Sequence, residues 1–264
     1  MFPMNSPRRL LRPGLCSVTL RHLPTHQVAA LAAEAGLSAI EWGADVHAPP
    51  TDLDAVHRAL DDTARHGLAI ASLGSYVRVG TPGREGDPST ALAAAAALGA
   101  PRLRVWAGSV GSADITDAQR DAVVHGLREL AQAAASIGTQ VALEFHDGTL
   151  TDTVDSTLRL LDDVGCDEVS TYWQPPVGVP SDQALSGLSA VLDRVSAVHA
   201  FSWWPRTERL PLGSRPELWR GAMDLLVARG RPTDVLLEFL PGDDAGALAN
   251  EAATLRHMIE EAER

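Results

Sequence analysis

Two copies of one short pattern each place a glutamate near the end of an apolar run. Residues 141–148 read VALEFHDG and residues 235–242 read VLLEFLPG, so both match V-x-L-E-F-x-x-G. An ionised carboxylate within an apolar run lowers stability by several kcal/mol unless a cation or hydrogen bonds compensate its charge. Glu144 and Glu238 are therefore either solvent-facing positions of two half-exposed strands or the carboxylates of a functional site.

A histidine stands within another apolar run. His199 lies in VSAVHAFSW, which covers residues 195–203. If this imidazole meets Glu144 and Glu238 near a common axis, the three groups favour a divalent cation. Oxygen ligands with imidazole suit Mn, Mg, Fe, Co or Zn better than copper. The alternative is a hydrogen-bonded polar layer that holds no ion.

The glutamates belong to a regular alternation of short apolar runs and longer alanine-rich amphipathic stretches. Strand character is found in runs at 14–20, 38–44, 68–76, 102–108, 140–146, 169–173, 195–203 and 234–240. Helical candidates between them include 26–36, 52–67 and 117–138, and each ends in glycine, as a helix C-terminus often does. This alternation predicts an α/β protein, a single-domain (β/α)8 TIM barrel over residues 13–264, preceded by a flexible leader at 1–12.

The alternative fold is an open doubly wound sheet. Such a sheet usually carries a G-x-G-x-x-G fingerprint after its first strand, where this chain has VTLRHLP at 18–24. The sequence also has no G-x-S-x-G, H-E-x-x-H or P-loop motif. The glycine-rich segment at 80–86 is interpreted as a loop.

In a TIM barrel, functional side chains lie where the strands end and the following loops begin. Because side chains alternate along a strand, Glu144 and His146 should share a face, and Phe145 and Phe239 should face the helices. Other polar or aromatic residues near strand ends are His47, Tyr76, Trp106, Trp173, Gln174 and Arg206. A tryptophan ring can cover the C–H face of a sugar while its N–H finds a polar partner, so these positions favour a carbohydrate ligand.

Composition excludes several classes of function. The chain of 264 residues has a formal net charge of −12, which argues against a nucleic-acid partner. Its two cysteines, Cys16 and Cys166, fit neither a disulfide framework nor a zinc finger, and favour a cytoplasmic setting. No run is long enough to cross a membrane and no signal peptide is visible, so no membrane partner is expected.

Four segments in order resemble the xylose isomerase-like TIM-barrel superfamily, which includes sugar isomerases, 3-epimerases, inosose dehydratases and relatives of endonuclease IV. They are LEFHDGTLTDT (143–153), YWQP (172–175), HAFSW (199–203) and LEFLPG (237–242). IEWGADVHAPP (40–50) and LRVWAG (103–108) are typical of its isomerase and epimerase members. The resemblance covers nearly the whole chain.

The resemblance implies one divalent metal ion, Mn2+ foremost, with Mg2+, Co2+, Fe2+ or Zn2+ as alternatives. Glu144, His199 and Glu238 match three of the family's ligand positions. Gln174 stands where the family has an aspartate. Its amide oxygen can bind a metal but adds no charge, which implies a weaker hold on the ion or its loss.

The resemblance further implies a sugar isomerase or epimerase acting on a small-molecule carbohydrate. One of the glutamates, Glu144 or Glu238, would remove the proton beside a carbonyl to give an enediolate held by the metal, and the other would return a proton. Substrate contacts are expected from His146, Arg206, His47, Trp106, Trp173 and Tyr76. Dimers are common in this superfamily.

Other functions remain open at this point. A lyase or dehydratase acting on a keto-sugar or inosose, including one that cleaves a C-glycoside, begins with the same proton abstraction. A non-catalytic sugar-binding barrel is a further alternative, because Gln174 departs from the family pattern. A repair hydrolase resembling endonuclease IV would need additional histidine and aspartate ligands and a basic surface, which the sequence does not offer.

Overall fold

Parallel strands close into a barrel in this computed structural model, which describes residues 9–81 and 86–264. The barrel strands are β1 (Leu11–Cys16), β2 (Ala39–Gly43), β3 (Ala69–Val79), β4 (Arg102–Ala107), β5 (Gln140–Leu143), β6 (Val169–Trp173), β7 (Val195–Ala200) and β10 (Thr233–Leu237). The two strands between β7 and β10 in the chain, β8 (Ser202–Trp203) and β9 (Arg209–Leu210), form a separate hairpin. Their order around the barrel is β1-β10-β7-β6-β5-β4-β3-β2. The predicted single-domain (β/α)8 barrel is confirmed.

Helices follow the strands and cover the barrel. They are α1 (Thr25–Glu34), α2 (Leu53–Arg65), α3 (Pro88–Leu98), α4 (Asp117–Ala135), α5 (Val154–Val164), α6 (Ser181–Val191), α7 (Pro216–Arg229) and α8 (Leu248–Ala262). Several begin at a side-chain cap, as at Thr116, whose hydroxyl and Gln119 form a reciprocal capping box. Within the described ranges, none of the helices is long and apolar enough to cross a membrane.

Small side chains line part of the barrel interior. Ala39, Ala71, Ala142 and Ala197 pack around Tyr172 and Leu236 in a buried cluster. Each alanine leaves room on its strand, so the tyrosine ring can fill the centre. The larger core lies between the strands and the helices.

Several strands end earlier than the apolar runs that predict them. The run at 14–20 forms a strand only to Cys16, and Ser17–Leu20 make a 3-10 turn. That strand starts at Leu11, inside the expected leader; residues 1–8 of the leader and 82–85 of the glycine-rich segment lie outside the described residues. β5 and β10 stop at Leu143 and Leu237, one residue before each glutamate.

A short antiparallel hairpin, β8 (Ser202–Trp203) and β9 (Arg209–Leu210), follows β7 and was not predicted. Phe201 separates β7 from β8, and a cis peptide bond joins Trp204 to Pro205 within the turn. Arg209 lies over the rings of Trp203 and Phe239. The hairpin thereby places aromatic side chains at the end of the barrel where the strands terminate.

Gly14 of β1 offers a direct test of barrel packing. A Cβ at this position would lie 2.7 Å from the backbone oxygen of Ala39 and 2.6 Å from Leu236 Cδ2. Neighbouring strands cannot separate without breaking their ladder, so Gly14→Ala should destabilise the protein by about 1–3 kcal/mol. Urea unfolding measures this change. Gly213→Ala, whose Cβ would meet only an ordinary contact at 3.6 Å, is the control; equal stability of both variants would contradict the packing argument.

Candidate active site

A cavity of about 400 Å³ opens at the end of the barrel where the strands terminate. Its polar lining includes Glu144, His146, Gln174, Arg206 and Glu238. These residues come from the ends of β5, β6 and β10 and from the hairpin after β7. The structure therefore brings both glutamates of the repeated pattern to one cavity.

The two phenylalanines of the repeated pattern also line this cavity, so the expectation that they face the helices is wrong. Strict alternation applies only within a strand, and both strands end before the glutamate. Phe239 adopts a φ of 58°, a left-handed conformation that a non-glycine residue seldom takes. Its ring packs against Trp203 and Phe201, at centroid distances of 4.9 and 5.8 Å.

His199 is fully buried and contacts oxygen atoms on both sides of its ring. Nε2 lies 3.2 Å from Glu41 Oε1. Nδ1 lies 3.1 Å from Gln174 Oε1 and 3.3 Å from Glu238 Oε2. Glu238 Oε2 is itself buried and has no hydrogen-bond partner among the described residues.

These contacts fit a divalent cation at Nδ1. A carboxylate only accepts hydrogen bonds, so a neutral His199 that carries its proton on Nε2 donates it to Glu41 across the 3.2 Å contact. The lone pair of Nδ1 then faces two oxygen acceptors, Gln174 Oε1 and Glu238 Oε2, and a cation between them relieves that conflict. Separations of 3.1 and 3.3 Å are also close to those between neighbouring ligands that bind one ion at about 2.0–2.2 Å.

Glu144 reaches the same cavity but makes different contacts. Its Oε2 accepts a hydrogen bond of 2.6 Å from Trp106 Nε1 and pairs with the guanidinium of Arg104. Thr151 Oγ1 donates to its backbone oxygen over 2.5 Å. Of the four predicted metal ligands, the structure thus brings Gln174 and Glu238 into contact with His199 and turns the carboxylate of Glu144 toward Arg104.

Glu41, in the middle of β2, is a buried part of the site that the sequence analysis did not select. Ser72 Oγ donates to Oε2 over 2.6 Å, and Arg104 Nε lies 3.1 Å from Oε1. Burial alone would raise the pKa of Glu41, but the charge of Arg104 and the hydrogen bonds from His199 and Ser72 hold that pKa well below its usual range. The available signal was a glutamate inside the apolar run IEWG at 40–43.

Cys16 completes this buried group. Cys16, Glu41 and His199 each place one ligand atom within 4.8 Å of the others, so the cluster could hold a metal ion. Burial, with Glu41 and Glu238 nearby, raises the pKa of the Cys16 thiol well above its usual value. The thiol is therefore a donor to Glu41 Oε1, at 3.2 Å, and the Nδ1 side of His199 is the better metal position.

Four of the expected substrate contacts do not line the cavity: His47, Trp173, Tyr76 and Trp106. His47 is buried, with Nδ1 2.9 Å from Ser17 Oγ and Nε2 2.9 Å from the backbone oxygen of Leu23. Trp173 is buried with its ring against Trp219, on the helix side of its strand. The position of Trp173 follows from side-chain parity, because Tyr172 beside it on β6 faces the barrel interior. His47 lies in the turn after β2, where its two hydrogen bonds hold it away from the cavity.

Tyr76 and Trp106 pack beside the cavity, where Trp106 contacts the ring of the lining residue His146. Their rings meet edge to face at a centroid distance of 5.3 Å, and Trp106 lies 4.9 Å from the ring of His146. Tyr76 also borders a second cavity of about 520 Å³ and accepts a hydrogen bond from Arg21. Trp106 supports His146 and Glu144, whereas Arg206 lies on the exposed rim.

Gly74 of β3 leaves room for the Arg104–Glu41 pair. A Cβ there would lie 2.8 Å from Arg104 Nη2 and 2.9 Å from Glu41 Oε1. Both side chains are buried and fixed by other contacts, so Gly74→Ala should cost about 1–3 kcal/mol of folding free energy. Urea unfolding beside the Gly213→Ala control measures this loss. Unchanged stability would mean that the pair can shift freely.

Comparison with known proteins gives the family. A family model described as xylose isomerase-like TIM barrel matches residues 29–225. A 3-dehydroshikimate dehydratase from Bacillus anthracis is 28% identical over 164 residues, which is 58% of this chain and 58% of that protein. The match thus spans less than two thirds of that relative's length.

Solved structures share the fold at low sequence identity. The probable 3-DHS dehydratase involved in petrobactin synthesis from Bacillus anthracis superposes with a TM-score of 0.76 at 20% identity, covering 93% of this chain and 98% of that one. D-allulose 3-epimerase from Methylomonas sp. superposes with a TM-score of 0.70 at 17% identity, covering 96% of this chain and 99% of that one. A xylose isomerase-like TIM barrel protein from Mycobacterium smegmatis in complex with magnesium superposes with a TM-score of 0.68 at 18% identity, covering 93% of this chain and 92% of that one. The chain belongs to the xylose isomerase-like TIM barrel family.

Proposed function

We propose that this protein is a carbon–oxygen lyase that removes water from a polyhydroxylated ketone. The reaction begins when a base in the 400 Å³ cavity takes the proton from the carbon beside the carbonyl. The observation that carries the proposal is the bonding of His146. This side chain supplies a free basic nitrogen next to Glu144 and Glu238.

The tautomer of His146 follows from its neighbour. Nδ1 lies 2.6 Å from the backbone oxygen of Asp147, and a carbonyl oxygen only accepts hydrogen bonds. In the neutral ring the proton therefore sits on Nδ1, and Nε2 carries the lone pair that a general base needs. Trp106 packs on the ring, and hydrogen bonds through Thr149 and Thr151 tie the backbone at His146 to the following turn.

The contacts of Glu144 favour elimination over a two-glutamate exchange of protons. Arg104 and Trp106 both stabilise its charged form, so it acts better as a fixed acceptor than as a proton carrier. His146 takes the proton, and the C–H electron pair forms an enolate. When the carbonyl re-forms, the pair makes a new C=C bond and the β C–O bond breaks. The protonated His146 returns the proton to the departing hydroxyl, which leaves as water.

Gln174, His199 and Glu238 would hold a divalent metal ion. Such an ion acts as a Lewis acid that polarises the substrate carbonyl, which makes the neighbouring proton more acidic. Mn2+ is the first candidate, because carboxylate, amide oxygen and imidazole are ligands it accepts. The buried Glu238 Oε2 without a hydrogen-bond partner among the described residues supports this assignment.

A second candidate function is the isomerase or epimerase activity expected from the sequence. Glu144 and Glu238 both line the cavity, from β5 and β10, which are three strands apart in the barrel. They could approach a bound ketose from different sides, one taking a proton and the other returning one. The structural similarity to D-allulose 3-epimerase is compatible with this candidate.

Product analysis in D₂O separates the two candidates. Purified protein with Mn2+, or with Mg2+ in a parallel series, is mixed with 3-dehydroshikimate or with D-allulose. A lyase gives a product that is lighter by one water molecule. An isomerase or epimerase gives a product of unchanged formula that carries solvent deuterium at the exchanged carbon. Absence of both turnover and deuterium exchange with both compounds would contradict the proposed proton abstraction.

A further inference from the structure

Glu41 contacts one proposed metal ligand directly and two further carboxylates of the site through shared neighbours. It touches His199 directly, at 3.2 Å. It is linked to Glu144 by Arg104, whose guanidinium pairs with the carboxylates of both Glu41 and Glu144. It touches Glu238 through Cys16, whose sulfur lies 3.2 Å from Glu41 Oε1 and 3.8 Å from Glu238 Oε1.

The polar neighbours of the Glu41 carboxylate among the described residues can each donate a hydrogen bond. Oε2 receives the Ser72 hydroxyl, while Oε1 faces the Cys16 thiol, Arg104 Nε and His199 Nε2. The side chain is completely buried, so these contacts replace all of its hydration. Such a surrounding keeps Glu41 ionised and leaves it no proton of its own to give.

Ser72 and Arg104 hold the Glu41 carboxylate 3.2 Å from Nε2 of His199, so Glu41 is the partner that receives a proton carried on this nitrogen. The proton on Nε2 is held between the ring and Glu41, so Nδ1 presents a lone pair toward Gln174 and Glu238. Ligating histidines commonly donate their other N–H to a carboxylate in this way, which fixes ring orientation and strengthens the ligand. We propose that Glu41 is the positioning residue of the metal centre, acting on His199 directly and on Glu144 and Glu238 through Arg104 and Cys16.

This inference deepens the proposed function and rests on its metal centre. Glu41→Gln keeps the shape of the side chain and removes its charge. The Kd for Mn2+, measured by calorimetry, should rise by about 10- to 100-fold. Glu251→Gln is the matched control, because Glu251 is also buried but accepts the Leu212 N–H on the α8 side of the protein. Its Kd should stay within about twofold of the original.

A second measurement uses the unaltered protein and does not depend on folding of a variant. Long-range ¹H–¹⁵N spectra of the metal-free, histidine-labelled chain report which ring nitrogen is protonated, with His199 assigned by comparison with His199→Gln. A proton on Nε2 and none on Nδ1 supports the inference. A proton on Nδ1 with a bare Nε2 overturns it, as does a folded Glu41→Gln variant that binds Mn2+ normally.

The two readouts keep the proposals distinguishable. If the unaltered protein binds no Mn2+ and turns over neither test compound, the proposed function fails. The tautomer of His199 in the same metal-free sample still decides the role of Glu41. If Mn2+ binds and turnover occurs but the proton sits on Nδ1, only the role of Glu41 is lost.

Discussion

Replacing His146 with glutamine is expected to lower kcat by about 10²- to 10⁴-fold, the usual contribution of a positioned general base. Glutamine can still donate to the Asp147 carbonyl and fill the space beside Trp106, so the loop should keep its conformation. It cannot take a proton at the position of Nε2. KM should change much less than kcat, because the missing interaction acts in the transition state.

Steady-state kinetics with the compound identified by product analysis, together with Mn2+ calorimetry, tests this role. His257→Gln, at an exposed histidine of α8, is the control and should retain full activity. A His146→Gln variant with kcat within about threefold of the original would show that another group is the base. A parallel loss of Mn2+ affinity and kcat would instead indicate that His146 supports the metal site.

The fold could be predicted because its signals are local and repeated. Apolar runs of strand length alternate with amphipathic stretches, and glycine ends several helices, as at Gly99 and Gly165. Strand ends were less predictable. The chain leaves β7 at Phe201 while its sequence stays apolar, and hydrogen bonding to the next strand, rather than hydrophobicity, decides where pairing stops.

The candidate site was predicted in part. His199 and Glu238 were selected because polar residues in apolar runs are costly unless they have a task. Gln174 was selected because it stands at a strand end where the resembled family has an aspartate, and both Gln174 and Glu238 contact His199 in the structure. The environment of Glu144 was not predictable, because Arg104 reaches it from a different strand. Spacing along one strand specifies which face a residue occupies, but it does not specify which partner from another strand it contacts.

The position of Glu41 also could not be predicted from its local sequence. Its sequence context, a glutamate in the run IEWG, resembles that of Glu144 and Glu238, yet it lies beneath the cavity and is fully buried. Gly74 makes room for this carboxylate, and neighbours that include Ser72 and Arg104 stabilise its charge. One local pattern thus produces a lining residue or a support residue according to neighbours far away in sequence.

Replacing Glu238 with glutamine is expected to raise the Kd for Mn2+ by more than about 100-fold. That is more than the loss of a residue that only hydrogen-bonds to a metal ligand usually causes. Glu238 Oε2 faces His199 Nδ1 and has no hydrogen-bond partner among the residues described, so it is available to a cation. Because Gln174 is neutral, Glu238 supplies the charge on this side of the ring. An amide at 238 would leave the ion with two neutral amide ligands and an imidazole.

Glu144→Gln provides the informative comparison. Glu144 already compensates Arg104, so its replacement should affect Mn2+ affinity less than Glu238→Gln and reduce stability more, by leaving Arg104 with Glu41 alone. Calorimetry and urea unfolding on both variants measure the two effects. If Glu144→Gln loses more Mn2+ affinity than Glu238→Gln, the ion lies nearer β5. In that case Arg104 must move away from Glu144 when the metal binds, and the three-residue site proposed at His199 is contradicted.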